Sequence, residues 1–386
     1  MKHVAFFIND FPIPSETFVR TEVKALLAAG HQVSLFCFNL LDNQVEVPKG
    51  LTVVCLKHVS TFDTAVFAAT QVAYLPNALR YSVKQDAIST QSLLFYGAKL
   101  GYLLTHYQCD HLHCHFMHSG LGYAVVGAKW ANITVSSIGH GHDVYINHQD
   151  LPFKLQACQF TVAVCQPMVQ TFERLGGEKI KLLHCGVDVG QFKFVPDVLL
   201  SGRKLVFIGR LVEKKGLSYA LIALANIAPA ARPSLDIIGE GELKAQLMAQ
   251  AHSLGLDKHV QFLGYQTPDW ISQIGQNYHG FLAPFCIADN GDCDTGPVVL
   301  KEAMAMGLPV ITTTIMGCPE IASPESGYLV APKNPTAIQH AIEAFCALAP
   351  NQYIQMRLAA RLRVESCFNA TTQGLQLSSW IEQAHL

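Results

Sequence analysis

Short apolar runs alternate with longer amphipathic segments from one end of the chain to the other. In the first half, residues 3–8 predict a strand, residues 15–29 a helix stopped by Gly30, and residues 31–38 a second strand. This β-α-β order predicts a parallel sheet with right-handed crossovers. Further strands are predicted to begin at Leu51, His111, Ile133 and Phe160.

The second half repeats this pattern with strands that are almost entirely apolar. They are predicted to begin at Lys204, Ser234, Val260, Gly280 and Leu308. Such uniform runs are expected where helices cover both faces of a parallel sheet. The sequence therefore predicts an α/β protein made of two doubly wound, Rossmann-like domains.

The segment between the two halves has no clear period and contains two glycines and a proline, so it is predicted to be a linker. A helix over residues 370–385 is predicted at the end of the chain and is expected to pack back toward the first domain. Ligands of doubly wound sheets bind beyond the carboxyl ends of the strands, so we expect the two domains to face one cleft. The expected segments are the N-terminal acceptor-side domain 1–190, the linker 191–203, the donor-nucleotide-binding domain 204–368 and the C-terminal segment 369–386.

Composition narrows the class of protein. The 386 residues carry a formal net charge of -2, which leaves no electrostatic footprint for nucleic acid. The twelve cysteines contain no C-x-x-C pair and most lie in apolar runs, which favours reduced thiols in a cytoplasmic protein over a disulfide framework. The N-terminal apolar run is too short for a signal peptide and is interrupted by Asp10 and Pro12.

Two acidic residues eight positions apart, Asp294 and Glu302, flank a turn and the start of a predicted helix. Gly296 lets a ligand approach the backbone, and Pro297 suits the first helical position. The amides of that first turn form an anion site. Carboxylates beside a phosphate are repelled unless they bind sugar hydroxyls, so the arrangement favours a nucleotide sugar, which offers both groups.

The acidic residues of this loop are also compatible with functions other than binding a nucleotide sugar. The run DNGDCD resembles a cation site, but an EF-hand loop starting at Asp292 needs glycine at position 297 and glutamate at position 303, and both are one position off. A DxD metal–diphosphate site and a solvated acidic loop before a core helix remain alternatives.

Two further motifs follow predicted strands. In GRLVEKKG, Arg210 and Lys215 stand at the exit of a strand and the entrance of a helix, and a fork donor with a point charge suits a diphosphate. Exposed surface charge is the alternative interpretation. In GHGHD, His140 stands at a strand exit and is predicted to donate a hydrogen bond to a sugar or phosphate.

The histidine-rich strand HLHCHFMH raises the question of zinc. His111, His113 and His115 lie on one face of the strand, with Cys114 beside them. Alternate residues of one strand are expected to fan along its face and not to converge on one ion, so no metal site is predicted.

The combined motifs resemble the retaining glycosyltransferases of family 4, which have the GT-B fold, over nearly the whole chain. The most specific parts are the acidic pair followed by AMAMGLPV, and GRLVEKKG followed by IGEGEL. The segments SETFV, HCHF and GHGHDVY resemble the branch that builds exopolysaccharide or lipopolysaccharide. The resemblance implies that Arg210 and Lys215 hold the donor diphosphate, that Glu302 binds the ribose, and that the amides over Gly296–Val298 hold phosphate.

The resemblance also implies catalytic positions. His140 would contact the sugar near the reacting carbon, and Asp294 would hold the transferred sugar where the family more often has glutamate. The first strand–helix loop, which carries glycines in the family, here contains Ser15 and Glu16. We expect Ser15 to cap the helix and the loop to lie on the acceptor side.

The function implied is metal-independent, retaining transfer of a hexose from a nucleotide sugar to a saccharide or lipid-linked acceptor, without a cofactor. Alternatives of other classes are a sugar-nucleotide epimerase, a phosphorylase and a catalytically silent sugar-nucleotide-binding subunit. The apolar stretch over residues 61–81 predicts a core helix, and with residues 92–104 it also suggests a peripheral contact with the inner membrane surface.

Overall fold

The computed structural model describes residues 1–14, 16–42, 45–195, 203–274 and 277–385. It divides into two compact units. Unit 1 comprises Met1–Gly186 together with Ala370–Leu386, and unit 2 comprises Val187–Asn369. Each unit is built around one parallel β-sheet.

Unit 1 contains seven parallel strands among its described residues. Their order in the sheet is β3-β2-β1-β4-β5-β6-β7. The bounds are β1 His3–Phe11, β2 Gln32–Leu40, β3 Thr52–Cys55, β4 His111–His115, β5 Thr134–Ile138, β6 Phe160–Ala163 and β7 Ile180–Leu182. Every residue of β4 and β5 is buried, as expected for central strands covered on both faces.

Helices cover both faces of this sheet. The bounds are α1 Thr17–Ala28, α2 Thr61–Thr70, α3 Leu75–Ser82, α4 Thr90–His106, α5 Ser119–Ala131, α6 Gly141–Tyr145, α7 Leu151–Ala157 and α8 Gln166–Arg174. Glycines bring α4 and α5 into close contact, because a Cβ at Gly97 would lie 2.4 Å from Val126 and one at Gly127 would lie 2.8 Å from Leu100. Short 3₁₀ turns span Leu56–His58 and Val72–Tyr74.

Unit 2 contains six parallel strands among its described residues, in the order β10-β9-β8-β11-β12-β13. The strands are β8 Lys204–Ile208, β9 Ser234–Ile238, β10 Val260–Gly264, β11 Gly280–Ala283, β12 Val310–Thr313 and β13 Gly327–Val330. The helices are α9 Leu217–Asn226, α10 Lys244–Ser253, α11 Pro268–Ile274, α12 Val298–Ala305, α13 Cys318–Ile321, α14 Pro335–Cys346 and α15 Pro350–Cys367, with a 3₁₀ turn at Glu213–Lys215.

The last helix, α16 (Ala370–Glu382), packs on α1 and so belongs to unit 1. Gly374 allows this packing, because a Cβ there would lie 2.3 Å from the Cβ of Ala25. The helix ends three residues before the predicted end at position 385. Its placement explains why unit 1 contains both ends of the chain.

The predicted linker at 191–203 differs from the observed division of the chain. The change of unit comes at Gly186 and Val187, four residues before the expected end of the first domain. Residues 189–195 are tied into unit 2 because Arg361 donates to the carbonyl of Phe192 at 2.9 Å and Arg357 donates to that of Val195 at 2.9 Å. Positions 196–202 of the predicted linker lie outside the described residues.

The stretch over residues 61–81 is not the single core helix that its apolar composition predicts. It is broken at Thr70 into α2, a 3₁₀ turn and α3, and its outer face is exposed. Phe62 is 76% exposed and Val72 is 61% exposed. No helix in the described part of the chain combines the length and apolar character needed to span a bilayer.

Candidate functional site

The order of strands in unit 2 places its motif loops together. The strand order reverses between β8 and β11, and ligands of doubly wound sheets bind at such a switch point. GRLVEKKG follows β8, and the acidic loop follows β11. Backbone contact at this end is close, since a Cβ at Gly216 would lie 1.9 Å from the carbonyl oxygen of Pro284. The two motifs were 80 positions apart in the sequence and are neighbours in the fold.

Hydrogen bonds hold the acidic loop against the turn after β8. The N–H of Cys286 donates to the carbonyl of Lys214 at 2.9 Å, and the N–H of Asp289 donates to the Glu213 carboxylate at 2.9 Å. At the far end of the loop, the N–H of Gly317 donates to the carbonyl of Thr295 at 2.9 Å. The loop therefore presents its acidic side chains on a fixed backbone.

Asp294 lies between two lysines. Its carboxylate accepts from Nζ of Lys215 at 2.6 Å and lies 3.5 Å from Nζ of Lys214, which also contacts Asp292 at 3.0 Å. Burial alone would raise the pKa of Asp294, but the two lysines hold it below its usual range. The carboxylate is thus ionised and oriented by the two lysines.

Glu302 lies on α12, which begins at Val298 with Pro297 as the N-cap residue, one position later than predicted. Burial raises the pKa of Glu302 to about 7. Among the described residues its carboxylate has no hydrogen-bond or ion-pair partner. Likewise, the N–H groups of Gly296 and Val298 donate to none of the described residues. The carboxylate of Glu302 and the amides of Gly296 and Val298 are therefore polar groups that remain available to a ligand.

The remaining predicted donor residue is Arg210. It is exposed, directly after Gly209, whose backbone has φ of 157° and packs against Gly239. A Cβ at Gly239 would lie 1.9 Å from the Gly209 carbonyl oxygen. The guanidinium of Arg210 also contributes to lowering the pKa of Asp294. The structure therefore brings Arg210 and Lys215 to the same loop cluster as Asp294.

In unit 1 the strand order reverses between β1 and β4. His140 follows β5 and is the N-cap residue of α6, where its N–H donates to Asp143 at 2.9 Å. Asp143 is fully buried and also accepts from the N–H of Met117 at 2.5 Å. Burial raises the pKa of Asp143 to about 7. These bonds fix the backbone of His140 at the carboxyl end of the sheet.

The side chain of His140 packs among aromatic rings. Its ring centroid lies 4.5 Å from Phe18, 4.8 Å from Phe116 and 5.8 Å from His115. Burial and the neighbouring His115 lower the pKa of His140 well below its ordinary value. A neutral ring of this kind carries one N–H donor, which is the group predicted to meet a sugar hydroxyl or phosphate.

The predicted acceptor-side loop follows β1. Ser15 lies outside the described residues, so its capping role stays a prediction. Glu16 is the N-cap residue of α1, and its side chain makes no capping hydrogen bond. Burial raises the pKa of Glu16 to about 7. The helix itself starts at Thr17, two residues later than predicted, because the turn closed by the Glu16 N–H on the carbonyl of Ile13 precedes it.

The histidines of β4 do not fan out as expected. His113 and His115 converge with Glu22 of α1, and one ligand atom from each lies within 4.8 Å of the others. The geometric reason given against a cation was therefore wrong for this pair. His111 points elsewhere and contacts Thr134 at 2.6 Å and Ser136 at 2.7 Å.

Sequence reasoning missed two residues of these clusters: Lys214 and Glu22. Lys214 was hidden beside the more obvious Lys215, and only the fold shows that it reaches the acidic loop. Glu22 carried a detectable signal. It lies three positions after Val19 and four before Leu26, so it falls on the buried face of α1.

Comparison with known proteins gives two family matches. Residues 192–363 match the model described as Glycosyl transferases group 1, and residues 15–191 match the model described as Glycosyltransferase Family 4. The amylovoran biosynthesis glycosyltransferase AmsK of Erwinia amylovora is 26% identical over 407 residues, which cover 98% of this chain and 99% of AmsK.

Two further proteins are similar to this chain. One is the N-acetylgalactosamine-N,N'-diacetylbacillosaminyl-diphospho-undecaprenol 4-alpha-N-acetylgalactosaminyltransferase of Campylobacter jejuni, 28% identical over 151 residues, 38% of each chain. The other is HepE of Anabaena, solved in complex with UDP, with 17% identity, a TM-score of 0.71 and full coverage of both chains. A second HepE structure, in complex with UDP-glucose, has a TM-score of 0.70 and 15% identity over the same full coverage. At these identities the solved structures show the two-domain fold.

Proposed function

As a member of glycosyltransferase family 4, this chain is a sugar transferase with the GT-B fold, and we propose that it builds a cell-surface polysaccharide from a nucleotide-sugar donor. The observation that supports a nucleotide-sugar donor is the cluster of Lys215, Lys214 and Asp294, which is followed in the chain by the free amides of Gly296 and Val298 and by Glu302 on α12. It offers cations and amides for a diphosphate and carboxylates for hydroxyl groups.

Each part of the donor has its own set of contacts in this proposal. Arg210 and Lys215 bind the diphosphate, together with the amides over Gly296–Val298. Glu302 accepts hydrogen bonds from the ribose, and Asp294 accepts them from the transferred sugar. For Lys215 this requires an exchange of partners, since its Nζ lies 2.6 Å from Asp294.

Retention of the anomeric configuration follows from front-face transfer, as the family membership implies. The leaving phosphate helps to deprotonate the acceptor hydroxyl, and the neutral ring of His140 donates a hydrogen bond to the sugar. No metal is needed, because Arg210, Lys214 and Lys215 supply the positive charge that would balance a diphosphate. No other cofactor is required by this chemistry.

The acceptor is a saccharide on a lipid carrier, and the polymer is an exopolysaccharide or lipopolysaccharide. AmsK is named for amylovoran synthesis, and the Campylobacter relative is named for a diphospho-undecaprenol acceptor. A lipid carrier requires contact with the cytoplasmic face of a membrane. The exposed apolar residues of unit 1, among them Phe62, Val66 and Val72, provide a surface for that contact.

The donor is identified by a thermal-shift screen over UDP-, GDP- and ADP-sugars, with free nucleoside diphosphates alongside. A ligand that binds only the native state stabilises it and so raises the melting temperature. At a hundredfold excess over Kd, the stabilisation is about 2.7 kcal/mol. We expect one base series to shift the melt and the other two to leave it unchanged. If none of the three does so, the proposed donor class is wrong.

A further inference from the structure

A buried hydrogen-bonded cluster joins α1 to β4 in unit 1. Glu22 Oε1 lies 3.0 Å from Nε2 of His115 and 3.3 Å from Nε2 of His113. Both imidazoles are at most 1% exposed, while the Glu22 side chain is 14% exposed. On its other side, His113 places Nδ1 2.8 Å from the hydroxyl of Ser136. One carboxylate oxygen therefore lies within 3.3 Å of a ring nitrogen of both histidines.

The tautomer of His115 follows from this geometry. Burial alone would raise the pKa of Glu22, but His115 and His113 hold it below its usual range, so the carboxylate is ionised and accepts only. His115 must then carry its proton on Nε2 to donate to it. His113 Nε2 lies 3.3 Å from the same oxygen but makes no hydrogen bond among the described residues, and that ring is held through Nδ1, 2.8 Å from the Ser136 hydroxyl. The orientation of His115 depends on Glu22 more strongly, because its buried Nδ1 has no partner among the described residues.

His115 in turn supports the ring of His140. The two rings are stacked, with centroids 5.8 Å apart and planes inclined by 14°. The buried Nε2 of His140 has no hydrogen-bond partner among the described residues, so packing determines where this ring lies. Its other ring neighbours are Phe18, on the same helix as Glu22, and Phe116. Glu22 is thus linked to His140 through one intermediate side chain.

We propose that Glu22 is a positioning residue for sugar transfer, which holds His115 in the orientation that keeps the ring of His140 aimed at the transferred sugar. This inference rests on the proposed contact between His140 and the sugar. It assigns a function to an acidic residue of α1 that contacts neither donor nor acceptor. The anchor is electrostatic and geometric, so both the charge and the reach of Glu22 should matter.

The test is a double-mutant cycle measured as kcat and donor KM. Glu22→Ala and His140→Ala are each expected to lower kcat by roughly tenfold or more, with donor KM within about threefold of the parent. Glu22→Gln keeps an acceptor oxygen without the charge and should lose less. The double variant Glu22→Ala/His140→Ala should be no slower than His140→Ala, because residues that act through one another are not additive.

Two controls separate positioning from folding. Lys24→Gln changes an exposed residue of the same helix and should leave kcat unchanged. Binding of the nucleoside diphosphate, a property of unit 2, should be the same in every variant, and Glu22→Gln should melt close to the parent. If kcat of Glu22→Gln falls together with its melting temperature, Glu22 has a structural role and the inference is overturned.

The outcomes distinguish this inference from the proposed function. If His140→Ala has a reduced kcat and the losses of the two single variants multiply in the double variant, the role of Glu22 is overturned. The contact of His140 with the sugar would then still stand. Parental kcat in His140→Ala would overturn the sugar contact and the inference with it. Stoichiometric zinc in the purified protein, absent from the Glu22→Gln variant, would also overturn the inference, because the cluster would then be a metal site.

Discussion

At the scale of single residues, the proposed donor site requires one lysine to exchange its partner. Lys215 is held by Asp294 at 2.6 Å, and in the proposed complex it contacts the diphosphate instead. Charge-assisted hydrogen bonds contribute about 1.5–3 kcal/mol. Lys215→Ala should therefore weaken nucleoside diphosphate binding by roughly tenfold or more, measured by titration calorimetry.

The matched control for this prediction is Lys258→Ala. Lys258 is an exposed residue of the same unit that precedes β10, at the opposite end of the strands from the motif loops. We expect its affinity for the nucleoside diphosphate to equal that of the parent. An unchanged affinity in Lys215→Ala, with a normal melting curve, would exclude the diphosphate contact.

The raised pKa of Glu302 predicts that the stability of the folded protein depends on pH. Its pKa is raised to about 7 in the folded chain against an ordinary value of 4.5, so between these values the folded state binds a proton that the unfolded chain has released. Stability is therefore lost as the pH rises from about 4.5 to 7. Glu302→Gln should remove this dependence and melt higher than the parent at pH 8, by roughly 2–4 °C for each kcal/mol recovered.

Thermal melts between pH 5 and pH 8 measure this effect. The exposed Glu242, changed to glutamine in the same unit, serves as the control and should keep the slope of the parent. The same slope in Glu302→Gln and in the parent would mean that Glu302 titrates normally. Its carboxylate would then be too well solvated for the site described.

At the scale of secondary structure elements, the central strands were predictable and the edges were not. The apolar runs at residues 204–209 and 234–239 predicted β8 and β9 to within one residue at their ends, because strands buried on both faces leave a continuous apolar signal. β7 and β13 were missed. Both are short edge strands of three and four residues, and their side chains are mostly half-exposed, which weakens that signal.

The contacts that build the sites could not be predicted from spacing. Lys215 and Asp294 are 79 positions apart, and Glu22 and His115 are 93 positions apart. Local pattern indicates that such residues follow strands or lie on a buried face. Which of them meet is decided by the strand order, β8 next to β11 and β1 next to β4, and that order is a property of the whole sheet.

The apolar face of α2 and α3 makes an element-scale prediction. A cavity of about 310 Å³ lies between α2 and α4, lined by Phe62, Val66 and Tyr102 among others. If this surface contacts lipid, the protein should float with liposomes that contain anionic lipid. Because burying a charge in the acyl boundary is unfavourable, Phe62→Asp combined with Val66→Asp should abolish flotation.

The control is Leu362→Asp, which changes a residue that is 60% exposed on α15 of unit 2. We expect this variant to float like the parent. Recovery of the parent protein entirely in the soluble fraction would contradict the membrane contact. The same conclusion would follow if the α2 variant retained full activity on a lipid-linked acceptor.

At the scale of the whole molecule, the proposed mechanism predicts that sugar transfer needs no metal ion. If Arg210, Lys214 and Lys215 balance the diphosphate as proposed, transfer should proceed at the parental rate after exhaustive treatment with EDTA. Rate measurements before and after chelation check this expectation. A loss of activity restored by added manganese or magnesium would show instead that the acidic loop at 289–294 holds a catalytic cation.

The products separate this enzyme from other classes with the same fold. A glycosyltransferase releases free nucleoside diphosphate and forms a glycoside. An epimerase returns an isomerised nucleotide sugar, a phosphorylase forms a sugar phosphate, and a silent binding subunit leaves the donor intact. Chromatography of a reaction with labelled donor and membrane extract as the acceptor source resolves all four outcomes.

The measurement that tests the central claim most directly is the rate of sugar transfer by Asp294→Ala, with Asp294→Glu alongside. Removing Asp294 frees Lys215, while Lys214 keeps its contact with Asp292, so Asp294→Ala should bind free nucleoside diphosphate at least as tightly as the parent. Its transfer rate should fall by roughly tenfold or more, because a sugar hydroxyl is left without its acceptor at a cost of about 1–3 kcal/mol. Asp294→Glu should remain active. If Asp294→Ala transfers sugar at the parental rate, the acidic loop does not hold the donor sugar and the account is wrong.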